Sequence, residues 1–475
     1  MPIRLTPDIC VIGAGSGGLS VAAAAAAFGV EVVLIEKGKM GGDCLNYGCV
    51  PSKALIAAAR HAHAMRHGSQ FGIADEEPQI AFRQVNRHVR KVIEAIAPND
   101  SVERFTAMGV RVIQEHARFV DRRTVLAGDH EIRARRFVVA TGSSPLVPPI
   151  EGLDGVDHLT NETLFDLTAL PRRLVIIGGG PIGLEMAQAH RRLGSEVTVV
   201  EAMTAMGKDD PELAAFVLRR LREEGVVIRE QTKVVRVERR GRSGVRVHVE
   251  GEGGADTIDG SHLLVAAGRS ANVRDLGLDK AGIDFDRKGV KVTDRLRTTN
   301  RRVYAIGDAA GGLQFTHVAG YHAGLVVRAM LFRLPARENR RVIPWATFTD
   351  PELATIGLSE DEARKKHGRV SILRWPYAEN DRAQAERKTE GLIKIVTDRK
   401  GRILGAGIVG ANAAEMINLW ALAVAKNMTV RDVTGYVAPY PTMTEIGKRA
   451  AITYFAPMAR KPGVRRLIRF LRLFG

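Results

Sequence analysis

Cys44 and Cys49 are two of only three cysteines in 475 residues, and they stand in the run Gly41-Gly42-Asp43-Cys44-Leu45-Asn46-Tyr47-Gly48-Cys49-Val50-Pro51-Ser52-Lys53. No second Cys or His pair follows at ligand spacing, so a zinc site fits badly and no metal site is expected. The third cysteine, Cys10, lies in the apolar run Ile9-Cys10-Val11-Ile12 and reads as a small core residue. Cys44 and Cys49 therefore have each other as thiol partners. A regular helix sets residues five apart about 140° around its axis and more than about 8 Å apart, too far for a bridge. A disulfide here needs a distorted turn, which Gly48 and Pro51 permit. The chemistry expected of the pair is dithiol–disulfide redox exchange.

Electrons for such a pair need a carrier, and the flanking elements supply binding sites for one. Asp8-Ile9-Cys10-Val11-Ile12 reads as a buried parallel strand. It leads into the turn Gly13, Gly15, Gly18, an alanine-rich helix and a second strand ending at Glu36. This strand, glycine turn, helix and strand form a dinucleotide-binding unit. The glycines let backbone N–H groups approach a pyrophosphate at the helix N-terminus, and the acid accepts from a ribose diol.

The unit occurs twice. Gly178, Gly180, Gly183 and Glu201 repeat Gly13, Gly15, Gly18 and Glu36 at a constant displacement of 165 residues, again with strands on both sides. In each copy the acid stands 18 residues after the last glycine, a coincidence too detailed for chance in a glycine-rich chain. Glu201 suits the free 2′-hydroxyl of NAD and repels the 2′-phosphate of NADP. No arginine follows it before Gly207, so NAD(H) is expected ahead of NADPH.

Composition bounds the rest. The length predicts two or three domains. Three cysteines argue for a reducing compartment, and the start Met1-Pro2-Ile3-Arg4 lacks the pattern of a signal peptide, so a cytoplasmic location is expected. Ala22 to Ala27 is too short to span a bilayer. The formal charge is +17, but the basic residues are scattered and aromatics make up only 5%, which argues against nucleic-acid binding. One segment concentrates charge: Arg460, Lys461, Arg465, Arg466, Arg469 and Arg472 occur with no acid among them. As a helix it would carry Val464, Leu467, Ile468, Leu471 and Phe474 on one face, the pattern of a basic amphipathic helix. Residues 460–475 are thus a candidate for peripheral contact with the inner face of a membrane.

The order of a first nucleotide unit, the C-x4-C and a second unit resembles the pyridine nucleotide–disulfide oxidoreductases, the family of dihydrolipoamide dehydrogenase and mercuric reductase. The resemblance covers nearly the whole chain. The cysteine run looks like that family's active-site signature. Val138-Val139-Ala140-Thr141-Gly142 and Val265-Ala266-Ala267-Gly268-Arg269 look like its strand-end crossings. Val303-Tyr304-Ala305-Ile306-Gly307-Asp308 looks like its second FAD motif, and Trp345 to Glu352 like the opening of its dimerisation domain.

The resemblance implies an α/β fold with two Rossmann-like domains and a C-terminal α+β dimerisation domain. FAD would occupy residues 1–148 and 273–342, with contacts at Gly13, Gly15, Gly18, Glu36, Lys53, Thr141, Gly142, Gly307, Asp308 and Ala319. NAD(H) would occupy residues 149–272, at Gly178, Gly180, Gly183, Glu201 and Gly268. Residues 343–458 would form a homodimer interface, and residues 459–475 a basic tail. Cys49 would be the flavin-side thiol and Cys44 the interchange thiol. Lys53, one helical turn after Cys49, would pair with Glu185 near the flavin.

One departure bears on the substrate. Disulfide-reducing members carry a histidine and a glutamate near the C-terminus, and here the segment is Tyr440-Pro441-Thr442-Met443-Thr444-Glu445. Tyr440 would reach Cys44 of the other subunit. Imidazole takes and returns a proton at neutral pH, whereas a phenol with a pKa of about 10 mostly donates. Mercuric reductases resemble this chain in carrying tyrosine there, but they add a C-terminal cysteine pair, and no cysteine follows Cys49 here. The expected activity is an FAD-dependent NAD(P)H oxidoreductase that cycles Cys44–Cys49 and passes electrons to a small-molecule acceptor. That acceptor is a disulfide, a metal ion in the mercuric manner, or a lipid-soluble compound at a membrane. A thiol sensor without turnover would leave two nucleotide sites without purpose.

Overall fold

The computed structural model describes residues 2–241 and 244–474, so Met1 and Gly475 at the ends of the expected segments lie outside it. The chain divides into two compact units, one of residues 1–202 and 227–338, the other of residues 203–226 and 339–475.

The first unit is built on parallel sheets. Strands run in the order Val303–Ala305, Arg136–Val139, Ile9–Ile12, Val32–Ile35, Arg111–Ile113, all parallel. Ile9–Ile12 and Val32–Ile35 are buried at every position, as a sheet covered on both faces requires. A second parallel sheet follows the order Val227–Arg229, Glu196–Val200, Arg173–Ile177, His262–Val265. The alanine-rich helix Ser16–Ala27 follows the first glycine turn, and Pro181–Leu193 follows the second. Alanine suits the first helix because it favours the conformation and lets neighbours approach closely. Gly17 extends that closeness, since a Cβ there would sit 3.1 Å from the Ala319 methyl. The short strands Ser143–Pro145 and Arg269–Ala271 pair antiparallel where the chain leaves and re-enters the first sheet region.

The second unit centres on a five-stranded antiparallel sheet ordered Trp345–Thr347, Glu352–Gly357, Ile403–Gly410, Leu392–Thr397, Ser371–Pro376. Its core joins Ile356, Ile393, Ile408, Ile417 and Trp420. Helix Pro211–Glu223 belongs to this unit through charge pairs. Lys394 Nζ, almost wholly buried, lies 2.8 Å from Asp210 and 3.0 Å from both Glu212 and Glu360. Three carboxylates compensate the desolvation of that ammonium. Among the described residues, no helix is long and apolar enough to cross a membrane.

Candidate active site

The two cysteines lie on either side of a helix break. Helix Gly42–Asn46 stops, Tyr47 and Gly48 leave helical geometry (φ −140° and −124°), and helix Cys49–Met65 begins at the second cysteine. The break removes the separation that a continuous helix would impose. Both cysteines stand as free thiols, the reduced form of the pair. Cys49 is lowered to about 6, first by the hydrogen bond from the Cys44 thiol, then by Thr316 and the Lys53 charge. Loss of hydration at the sulfur and the Glu185 carboxylate work against this. Cys44 moves upward, chiefly because its proton is held by Cys49 and also through burial. At neutral pH the pair thus carries one thiolate, on Cys49, and one proton, on Cys44. Thr316 Oγ1 lies 3.4 Å from Cys49 Sγ.

Lys53 follows Cys49 by one turn on the same helix, and its Nζ lies 2.7 Å from Glu185 Oε2. Glu185 comes from helix Pro181–Leu193, two residues past the second glycine turn, and its side chain is only 7% exposed. A carboxylate at that depth needs a cationic partner, and the packing of the two helices supplies one.

Asp43, between the glycines and Cys44, meets Arg269 at 3.1 Å and accepts from Asn161 at 2.9 Å. Arg269 also donates to the Ser143 hydroxyl at 2.7 Å, and Ser143 donates to Asp308 at 2.5 Å. Burial pushes the Asp308 carboxyl above its ordinary range, and the Ser143 hydrogen bond offsets part of that. Thr141 Oγ1 donates to the Asn272 carbonyl at 2.7 Å, and Asn272 N donates to Gly142, tying the two chain crossings together. Sequence reasoning did not single out Thr316, Asn161, Ser143 or Arg269 as site residues. The position of Arg269, next to the Gly268 turn, was a usable signal. Thr316 offered none, because 267 residues separate it from Cys49.

The nucleotide turns repeat in space as in sequence. Gly13 (φ +105°) and Gly178 (φ +116°) each lie where a Cβ would collide with a strand-end carbonyl, Ala140 in one copy and Ala266 in the other. A Cβ on Gly18 would meet the Gly13 carbonyl, and one on Gly183 the Gly178 carbonyl. Glu36 Oε2 accepts from Ala14 N at 2.6 Å, and Glu201 Oε2 from Gly179 N at 2.7 Å, again 165 residues apart. Gly15 and Gly180 cap their helices with no side-chain hydrogen bond, which leaves first-turn N–H groups to face a pyrophosphate. Gly307 packs against Ala319, whose methyl would lie 2.9 Å from an added Cβ. Gly268 takes φ +125° at the second crossing. These residues fit a dinucleotide in each copy, and the half-buried Asp308 adds a hydrogen-bonding carboxyl group on the first.

Tyr440 and Glu445 lie in the second unit. Tyr440 is 70% exposed, and its hydroxyl donates to Asp381 Oδ2 at 2.8 Å. That hydrogen bond, with the Asp381 charge, holds the phenol above its ordinary range. Glu445 opens helix Glu445–Thr453 and accepts from Thr442 N at 3.5 Å. The carboxylate that holds Tyr440 is therefore Asp381, supplied by helix Asp381–Ala385.

A dithiol set on a helix break beside two dinucleotide turns defines a flavoprotein disulfide reductase. The chain belongs to the pyridine nucleotide-disulphide oxidoreductase family, whose model matches residues 7–323, with its dimerisation domain at residues 343–451. The family is FAD-dependent and uses NAD(P)H, and the dimerisation domain supports a homodimer. The chain is 36% identical to a mercuric reductase of Bacillus cereus, over 94% of this chain and 71% of that one. It is 34% identical to a dihydrolipoyl dehydrogenase of Geobacillus stearothermophilus, over 94% and 95%. Among solved structures it resembles the HOCl-induced flavoprotein disulfide reductase RclA of Escherichia coli, with a TM-score of 0.84 and 28% identity, covering 94% of this chain and 99% of that one. RclA has also been solved as a Cu(II) complex.

Proposed function

We propose that this chain is an NADH-preferring reductase whose Cys44–Cys49 dithiol delivers electrons to a thiophilic metal ion of the Cu(II) or Hg(II) kind, in preference to dihydrolipoamide-type disulfides. The observation that carries the reading is the Tyr440 phenol donating to Asp381. Disulfide exchange at neutral pH needs a base that takes and returns a proton at the interchange thiol. A phenol held above its ordinary pKa does not supply one. A soft metal ion makes no such demand, because thiolates are its natural ligands. The mercuric reductases among the relatives and the Cu(II) complex of RclA support this choice.

Gly13, Gly15, Gly18, Glu36, Thr141, Gly142, Gly307, Asp308 and Ala319 would hold FAD in residues 1–148 and 273–342. Gly178, Gly180, Gly183, Glu201 and Gly268 would hold NADH in residues 149–272. Bound FAD supplies the two-electron relay between nicotinamide and sulfur. Lys53 and Glu185 keep a fixed charge pair beside Cys49, and Thr316 and Cys44 hold its thiolate. With Cu(II) as substrate, Cys44 and Cys49 each give one electron to a separate Cu(II), the one proton held by Cys44 leaves and the S–S bond forms. The hydride equivalent of NADH then restores one thiol and one thiolate, with no further proton taken up. In the homodimer Tyr440 and Glu445 would face the cysteine pair of the other copy, and the enzyme would work peripherally at a membrane.

Anaerobic NADH oxidation assayed with Cu(II), Hg(II) and lipoamide tests the choice of acceptor. Lipoamide turnover should fall short of metal-ion turnover by about 10²-fold, the scale of a missing general base. Equal turnover with lipoamide would overturn the reading.

A further inference from the structure

The segment 460–475 has no part in the redox site, and the fold leaves its apolar side uncovered. Helix Pro462–Leu471 buries none of its residues. Leu467, Ile468, Phe470 and Leu471 are each more than half exposed, and Phe474 beyond the helix about three-quarters. At 100° per residue, Phe470, Leu467, Leu471, Val464 and Ile468 fill an arc of about 160°, and Arg465, Arg469 and Arg466 fill the opposite side. Arg465 Nε bonds the Ala459 carbonyl, and no described residue forms an ion pair with any of these arginines.

An exposed apolar stripe of this size on a short helix is unstable in water, so something covers it. We infer that helix 462–471 docks on an anionic lipid surface, its leucines, isoleucine and phenylalanines entering the acyl boundary and its arginines meeting phosphate headgroups. Charge decides between this occupant and a second copy of the chain. The segment carries six basic residues and no acid, and the chain as a whole has 70 basic residues against 53 acidic ones. A second copy therefore brings more of the same charge, whereas an anionic leaflet brings the opposite one. The inference names the surface for the peripheral placement proposed above and does not depend on which acceptor the dithiol reduces.

The test is co-sedimentation of the FAD-loaded full chain with vesicles of mixed phosphatidylglycerol and phosphatidylcholine, or of phosphatidylcholine alone. The full chain should pellet with the anionic vesicles only, and added salt should weaken the binding. Removing residues 460–475 should lower the partition by about tenfold or more. The double substitution Leu467→Ser with Leu471→Ser should do the same, as should Arg466→Gln with Arg469→Gln. Anaerobic reduction of the bound FAD by NADH should be unchanged in all three, which shows that the fold is intact and keeps this test separate from that of the acceptor. Equal pelleting of the full and shortened chains would overturn the inference. So would a dimer that dissociates on removing the segment, because the helix would then cover a second copy.

Discussion

Lys53 Nζ lies 2.7 Å from Glu185 Oε2, joining the helix that begins at Cys49 to the helix that begins at the second glycine turn. One ion pair thus ties the thiol-bearing element to the element that would receive NADH. Removing the cation in Lys53→Ala leaves Glu185 buried without that partner. We expect a loss of about 1–2 kcal/mol in urea unfolding, limited by the partial exposure of Lys53. The Cys49 pKa should rise at the same time. An unchanged alkylation profile would show that the Lys53 charge does not reach the sulfur.

Iodoacetamide alkylation of the reduced protein should follow the Cys49 thiolate. The rate should be low below pH 6, rise as pH passes through about 6, and level off above it. Cys44→Ala removes the principal donor and should carry the midpoint toward the ordinary thiol value of about 8.5. Thr316→Val should shift it in the same direction by less. A midpoint that stays put in Cys44→Ala would contradict the shared-proton description.

Tyr440→His restores a group that titrates near neutrality. Lipoamide turnover should rise by about tenfold or more, with a pH dependence set by the new imidazole. If metal-ion turnover rises equally, residue 440 does not discriminate between acceptors.

Glu201 accepts from Gly179 N at 2.7 Å and stands where a ribose diol would lie. Glu201→Arg should invert the ratio of kcat/KM for NADH and NADPH, by about 10²-fold overall, through loss of repulsion and gain of a phosphate partner. FAD content should not change. An unaltered ratio would place the specificity elsewhere.

The glycine turns, their acids and the cysteine signature were legible because each sits within one continuous stretch, where local geometry dictates residue type. The Lys53–Glu185 approach was legible only through a family resemblance. The Asp43–Arg269 and Cys49–Thr316 contacts were not, since packing of distant elements creates them and no local pattern marks Thr316. Asp381 was missed for a similar reason: it comes from helix Asp381–Ala385, outside the Tyr440 segment. Helix Pro211–Glu223 is a further case. In sequence it follows the second nucleotide unit, but Glu212 pairs with Arg374, and Arg219 and Arg220 pair with Glu390.

In the proposed cycle NADH reduces the Cys44–Cys49 pair and leaves the thiolate on Cys49. Anaerobic titration of the oxidised, FAD-loaded protein with NADH, with thiols alkylated and mapped at each step, tests it directly. The expected result is that one equivalent of NADH exposes new thiols at Cys44 and Cys49 together, with long-wavelength absorbance that Cys49→Ser abolishes. Flavin bleaching with no new thiol at either cysteine would contradict the claim.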